Sequence, residues 1–275
     1  MTLIQPGHAL LPIVSTDPDR PVEQAAPRRG TGPLTGSVHS WDVSTGVDGP
    51  GTRFVLFVAG CPLACLYCQN PDTLRMSNGK RATTDEVVAE AAKYVPFIRA
   101  AGGGFTVSGG EPMLQPDFVG EILGRCHHDL GLHTALDTSG FLGARATDAF
   151  LDSVDLVLLD IKSWDRELYM RLTSRQLEPT LVFARRLAEL GKEVWVRFVL
   201  VPGLTDPPEN VAGVAAFTAS LGNVTRVDVL PFHKFGADKW AGLGMNFTLA
   251  STPVPSASQI AEARSVFASY GLYAV

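Results

Sequence analysis

The sequence predicts an α/β fold, a partial (β/α)6 TIM-like barrel. Three observations carry this. Short runs rich in Val, Leu, Phe and Ile alternate with amphipathic helical windows along most of the chain. Several of those runs are apolar on both faces, as parallel strands covered by helices are. With 275 residues, the chain is short for a full eightfold barrel once its atypical N-terminus is set aside. A doubly wound sheet is the alternative, but its glycine pattern is absent after the first strand.

The elements follow in order. Residues 1–33 hold six of the 19 prolines and no aromatic residue, and they read as a flexible Pro-rich leader. Residues 34–275 form the single folded domain. The strands are expected at 53–59, 105–108, 133–137, 155–160, 194–201 and 227–230, with further short strands at 37–42 and 272–275. A helix over 83–100 opens with the capping-box spacing Thr83 to Glu86 and is kinked at Pro96. Further helices are expected at 116–126, at 180–190 ending at Gly191, at 209–221, and at 259–270 behind a Ser256 cap.

Composition narrows the function. Apolar residues make up 45% and charged residues 19%, enough for a sizeable core. A net charge of -5 points away from nucleic acid and from anionic membrane surfaces. No apolar run approaches the roughly 18 residues of a membrane span. The N-terminus lacks a basic start and is broken by Pro6 and Pro12, so it does not read as a secretory signal. Four cysteines are too few for a disulfide scaffold. Their clustering suggests metal binding in a reducing, cytoplasmic compartment.

Cys61, Cys65 and Cys68 lie in one loop with the spacing C-x3-C-x2-C. Zinc usually takes a closed set of four ligands, and no nearby Cys or His supplies a fourth. A [4Fe–4S] cluster also takes four, so three thiolates leave one iron open, as catalytic sites do. Cys126, beside His127 and His128, reads as a small buried hydrophobe. The loop, with Tyr67 in the aromatic slot before the third Cys, resembles the radical SAM signature. The resemblance implies that the open iron binds S-adenosylmethionine by its amino and carboxylate groups. Reductive cleavage then yields a 5′-deoxyadenosyl radical, so no side chain is itself catalytic.

Polar motifs stand at the other strand ends: Ser108-Gly109-Gly110-Glu111-Pro112, Asp137-Thr138-Ser139-Gly140, Asp160-Ile161-Lys162, Trp195-Val196-Arg197 and Leu230-Pro231-Phe232-His233. Each alone reads as an ordinary turn. Together they put acids and bases at one barrel mouth. With Asp48-Gly49-Pro50-Gly51, Gly102-Gly103-Gly104, Val201-Pro202-Gly203 and Lys239-Trp240, the string is similar to that of the pyruvate formate-lyase activating enzymes, from about residue 35 onward.

That resemblance implies several roles. Cys61, Cys65 and Cys68 hold the cluster, with Tyr67 beside the cofactor. Gly110 and Glu111 hold the amino group of S-adenosylmethionine, and Lys162, Arg197 and His233 contact its carboxylate and ribose. Asp137, Thr138 and Asp160 bind a monovalent cation near the sulfonium, with the Leu158 carbonyl as an extra ligand. Asp48 engages the partner, a glycyl radical enzyme such as pyruvate formate-lyase. A flavodoxin- or ferredoxin-type protein donates the electron. Residues 69–104 contain no Cys, so the chain lacks the ferredoxin-like insert of other activases. Three features depart from the family: Gln69 where His is common, an extra residue near 127–131, and the leader. The competing readings are a radical SAM enzyme with a small-molecule substrate and a non-enzymatic zinc scaffold.

Overall fold

A computed structural model describes residues 32–275. The leader therefore lies outside the described residues, apart from Gly32 and Pro33. At one edge of the sheet, β1 (Thr35–Thr45) pairs antiparallel with β2 (Thr52–Val58) and with β3 (Lys80–Thr83). From β2 the sheet continues through β4 (Gly104–Gly109), β5 (His133–Thr138), β6 (Leu156–Asp160), β7 (Glu193–Leu200) and β8 (Val224–Pro231), every pair parallel. Each crossover steps one strand onward in the same direction. A doubly wound sheet would reverse direction at a switch point. The six parallel strands are thus the wall of a singly wound partial barrel, open between β3 and β8.

The helices are α1 (Thr84–Ala92), α2 (Val95–Ala100), α3 (Pro116–His128), α4 (Asp148–Asp152), α5 (Arg166–Thr173), α6 (Glu178–Glu189), α7 (Pro208–Leu221), α8 (Ala237–Gly242) and α9 (Ala257–Ser269). The window 83–100 is two helices rather than one kinked helix. Both bonds of the Thr83–Glu86 capping box form. Pro96 sits in the first turn of α2, where its missing N–H costs nothing. The expected strand at 272–275 reduces to one bridge, Val227 to Ala274. The sequence did not reveal β3, α4, α5 or α8, all too short for a periodic signal.

Period-two alternation sorts the sheet's two faces. On β7, Val194, Val196, Phe198 and Leu200 join the main core with helix residues such as Ile122, Leu187, Val214 and Phe267. Trp195, Arg197 and Val199 face the other way. There Trp195 packs with Ala135, Leu156 and Leu158 in a small inner cluster. Residues 33–275 form one compact unit. Among the described residues, no helix is long and apolar enough to cross a membrane.

Candidate functional site

A cavity opens at the C-terminal ends of the parallel strands. Cys61, Cys65, Tyr67 and Cys68 line it from the loop after β2. Gly110, Asp137, Thr138, Asp160, Lys162, Arg197 and His233 line it from the other strand ends. Parallel strands make this convergence automatic, because all their C-termini emerge at one edge.

The cysteine loop is tied down along its length. Gly60 N donates to Thr73 O (2.7 Å) and Cys61 N to Leu74 O (3.0 Å). Ala64 N and Leu66 N donate to the last carbonyls of α5, on Thr173 and Leu172 (both 2.9 Å). Burial pushes all three thiols up, Cys68 to about 12. The neighbouring sulfur of Cys65 adds to the rise at Cys61 and Cys68. A metal would bind the three as thiolates and release their protons. Among the described residues, no three His, Cys, Asp or Glu side chains are grouped to hold a single metal ion. A tetrahedral zinc site would need that grouping, whereas a four-iron cluster offers each thiolate its own iron.

The Gly-Gly-Glu turn packs against this loop. Gly109 has φ +114°, and a Cβ there would meet Val58 O at 2.3 Å, so only glycine fits. Gly110 N donates to Val58 O and Glu111 N to Gly60 O (both 2.8 Å). The Glu111 side chain already has partners of its own within the chain. It is buried and does not line the cavity. Its carboxylate accepts from Met113 N (3.2 Å), Thr138 Oγ1 (2.7 Å), and both Ser139 N (3.0 Å) and Ser139 Oγ. A carboxylate has about four lone-pair sites, and these donors fill them. Burial raises its pKa against the pull of those donors. In this arrangement Glu111 fixes the turn after β5, and Gly110 is the part of the motif that faces the cavity.

Two ion pairs cross the mouth. Asp137 meets Arg197 at 3.0 Å and accepts from Ser108 Oγ (2.6 Å). Lys162 meets Asp160 at 2.8 Å and stands 5.6 Å from the Tyr67 ring centre. Burial disfavours both cations, but the facing carboxylates outweigh it and hold Lys162 and Arg197 charged. Asp137 and Asp160 are thereby committed to these partners. Thr138 is bonded to Glu111 and Gly140 N, so a cation at these residues would displace bonds already made. Burial lowers the pKa of His233.

Asp48 stands in the β1–β2 turn, outside the cavity lining, yet its charge acts on both Asp137 and Arg197. Its carboxylate accepts from Ser44 Oγ (2.6 Å) and its carbonyl from Thr106 Oγ1 (2.7 Å). Beneath it sits Arg53, fully buried, which the sequence placed at the start of the first strand without a role. Arg53 Nε donates to Thr106 Oγ1 (2.9 Å), and Nη2 donates to the carbonyls of Phe105 (2.7 Å) and His133 (3.1 Å). A Cβ at Gly104 would collide with the His133 carbonyl and with Arg53 Nη1, and the backbone clash explains that glycine.

Beyond His233, the sequence assigns the segment after β8 no role at the site. It folds over the third cysteine. Gln69 Nε2 donates to His233 O (3.0 Å) and Tyr67 O (3.2 Å), while its Oε1 accepts from Gly236 N (2.9 Å). Trp240 Nε1 donates to Cys68 O (2.9 Å), and Lys239 bonds Asn70 Oδ1 (2.8 Å). Tyr67, Phe232, Trp240 and Phe247 share a second apolar cluster beneath. Gln69 and the Lys239-Trp240 pair were visible in the sequence, but nothing there joins them.

The site fits an iron–sulfur cluster with a zwitterionic nucleoside ligand. Three thiols share one loop wall. Arg197 Nε and the Tyr67 hydroxyl, both in the cavity lining, are buried without a hydrogen-bond partner. Such groups call for an acceptor from outside the chain. Comparisons with known proteins agree. The Radical SAM superfamily profile matches residues 55–213. The pyruvate formate-lyase 1-activating enzyme of Escherichia coli is 37% identical over 240 residues, covering 86% of this chain and 97% of that protein. The pyruvate formate-lyase-activating enzyme of Staphylococcus epidermidis is 40% identical over 237 residues, covering 84% and 94%. A crystallised domain of a pyruvate-formate lyase-activating enzyme from Bacteroides vulgatus superposes with a TM-score of 0.53 at 28% identity, covering 63% of this chain and 98% of that one.

Proposed function

The chain belongs to the radical SAM superfamily and, within it, to the pyruvate formate-lyase activating enzymes, and from that premise we propose how its residues divide the work. It is an activase for a glycyl radical enzyme and uses a [4Fe–4S] cluster and S-adenosylmethionine. When bound, these supply the one-electron chemistry that removes a Cα hydrogen from a glycine of the partner.

The chain's own residues bind and orient. Cys61, Cys65 and Cys68 would hold the cluster, three thiolates for its four irons. Arg197 and Lys162 take the ligand's carboxylate, relaxing their pairs with Asp137 and Asp160. Those carboxylates then face the cationic part of the ligand or a monovalent cation, with Thr138 and the Leu158 carbonyl beside them. Gly110 offers backbone to the amino group, while Glu111 keeps the β5 turn in place. His233, whose pKa burial lowers, hydrogen-bonds the ribose. Asp48, whose charge reaches Asp137 and Arg197, meets the partner's glycine-bearing loop where it enters the cavity. The partner is pyruvate formate-lyase, the electron donor is a flavodoxin- or ferredoxin-type protein, and the compartment is the reducing cytoplasm.

One observation carries this reading: the cysteine loop and the charged strand ends line the same cavity. The test is electron paramagnetic resonance on anaerobically reconstituted, reduced protein. A [4Fe–4S] signal that changes shape with S-adenosylmethionine is expected, followed by a glycyl radical doublet on added pyruvate formate-lyase with matching 5′-deoxyadenosine. A cluster that ignores S-adenosylmethionine, or a partner left without a radical, would refute it.

A further inference from the structure

We propose that Phe235 is the apolar anchor on which the body of the partner enzyme docks, outside the pocket that takes its glycine loop. The proposal rests on the activase reading above.

Among the described residues, Phe235 is the most exposed large apolar side chain, at 86%. It is also held in place rather than loose. Its own N–H points to His233 Nδ1 (3.4 Å), and the next residue, Gly236, donates to Gln69. Three residues before it Phe232 is buried, and five after it Trp240 is buried and bonded to Cys68. The segment is therefore pinned on both sides, and its tip presents a phenyl ring to solvent. A Cβ on Gly236 would stand 2.9 Å from Gln69 O, so the strap lies close against the cysteine loop.

The position fixes the occupant. The Phe235 ring lies 4.4 Å from the His233 ring, and His233 lines the cavity. A protein whose glycine enters that cavity must rest its surrounding surface on the rim. The cavity wall sets its charge (Asp137, Asp160, Lys162, Arg197) among apolar residues such as Leu63, Val199 and Phe232, all of it taken up by the glycine loop itself. Interfaces draw most of their affinity from a few aromatic anchors in desolvated pockets. Phe235 offers such an anchor beside the mouth, and its position is set before the partner arrives. The matching surface is an apolar pocket on the folded partner, next to its glycine loop.

The test uses holoenzyme carrying F235A, F235D or F235L, reduced photochemically so that no donor protein is present. Substrates are full-length partner and a short peptide copying its glycine loop. F235A is expected to raise KM for the full-length partner about tenfold, F235D more, and F235L less than F235A. Peptide kinetics and the spectrum with S-adenosylmethionine should stay as in the wild type. An unchanged partner KM in F235A and F235D would overturn the proposal. So would an equal loss with the peptide, or an altered cofactor-bound spectrum, since either puts Phe235 to work through His233. A change in oligomeric state with unchanged partner KM would assign the residue to self-association instead. Wild-type holoenzyme that leaves no radical on the partner would refute the activase reading itself, an outcome distinct from any that sets the variants apart.

Discussion

His133 shows how a single residue's protonation is settled by its neighbours. Arg53 Nη1 lies 3.1 Å from His133 Nδ1. A guanidinium only donates, so Nδ1 accepts and the imidazole is the neutral tautomer with its proton on Nε2. Burial and the Arg53 charge both lower its pKa, and burial lowers that of His233. As pH falls below the ordinary histidine value of about 6.5, the unfolded chain takes up protons that these folded sites refuse. Stability is therefore expected to fall from pH 7 toward pH 5. Thermal melts across that range check it, and H133Q should flatten the slope. At the cysteines, each of C61A, C65A and C68A is expected to cut iron after reconstitution from about four per chain to below one. Iron retained near the wild-type level would contradict their assignment. The cysteine spacing was legible in the sequence. The side-chain role of Glu111 was not, because its partners Thr138 and Ser139 come from another strand.

At the scale of elements, turns decide whether the site forms. Gly109 ends β4 with a positive φ and with Val58 backbone 2.3 Å from where a Cβ would lie. G109A must strain that φ and push two paired strands apart. It is expected to cost about 2–4 kcal/mol and to abolish binding of S-adenosylmethionine, read by chemical denaturation and by the cofactor-induced spectral change. The six parallel strands were readable because buried β-rich runs are locally distinctive. Arg197 faces the cavity for the reason Val196 faces the core, namely the strand's period of two. The short elements were unreadable: β3 is a charged edge strand, exposed at Lys80 and Arg81, and α4 spans only five residues. The helix over 83–100 divides in two because Pro96 tolerates only a first turn.

At the scale of the molecule, the described domain carries its own core, and its sheet stays open between β3 and β8. Deleting residues 1–31 is therefore expected to shift the melting midpoint by no more than about 2 °C, the scale of a few tenths of a kcal/mol, and to leave the cluster spectrum intact. A larger fall would show that the leader contributes to the fold.

The strand–helix alternation, the cluster loop and the order of polar strand ends are written in the sequence, since spacing and periodicity are local properties. Tertiary structure alone decided what those residues touch. Arg53 lies under the Asp48 turn, Glu111 turns from the cavity to hold Thr138, and Gln69 and Trp240 join the cysteine loop to a segment more than 160 residues away. Such contacts depend on strand order and register, which no local pattern encodes. A hydrogen bond is specified by where two backbones meet, and that is set by the packing of the whole chain.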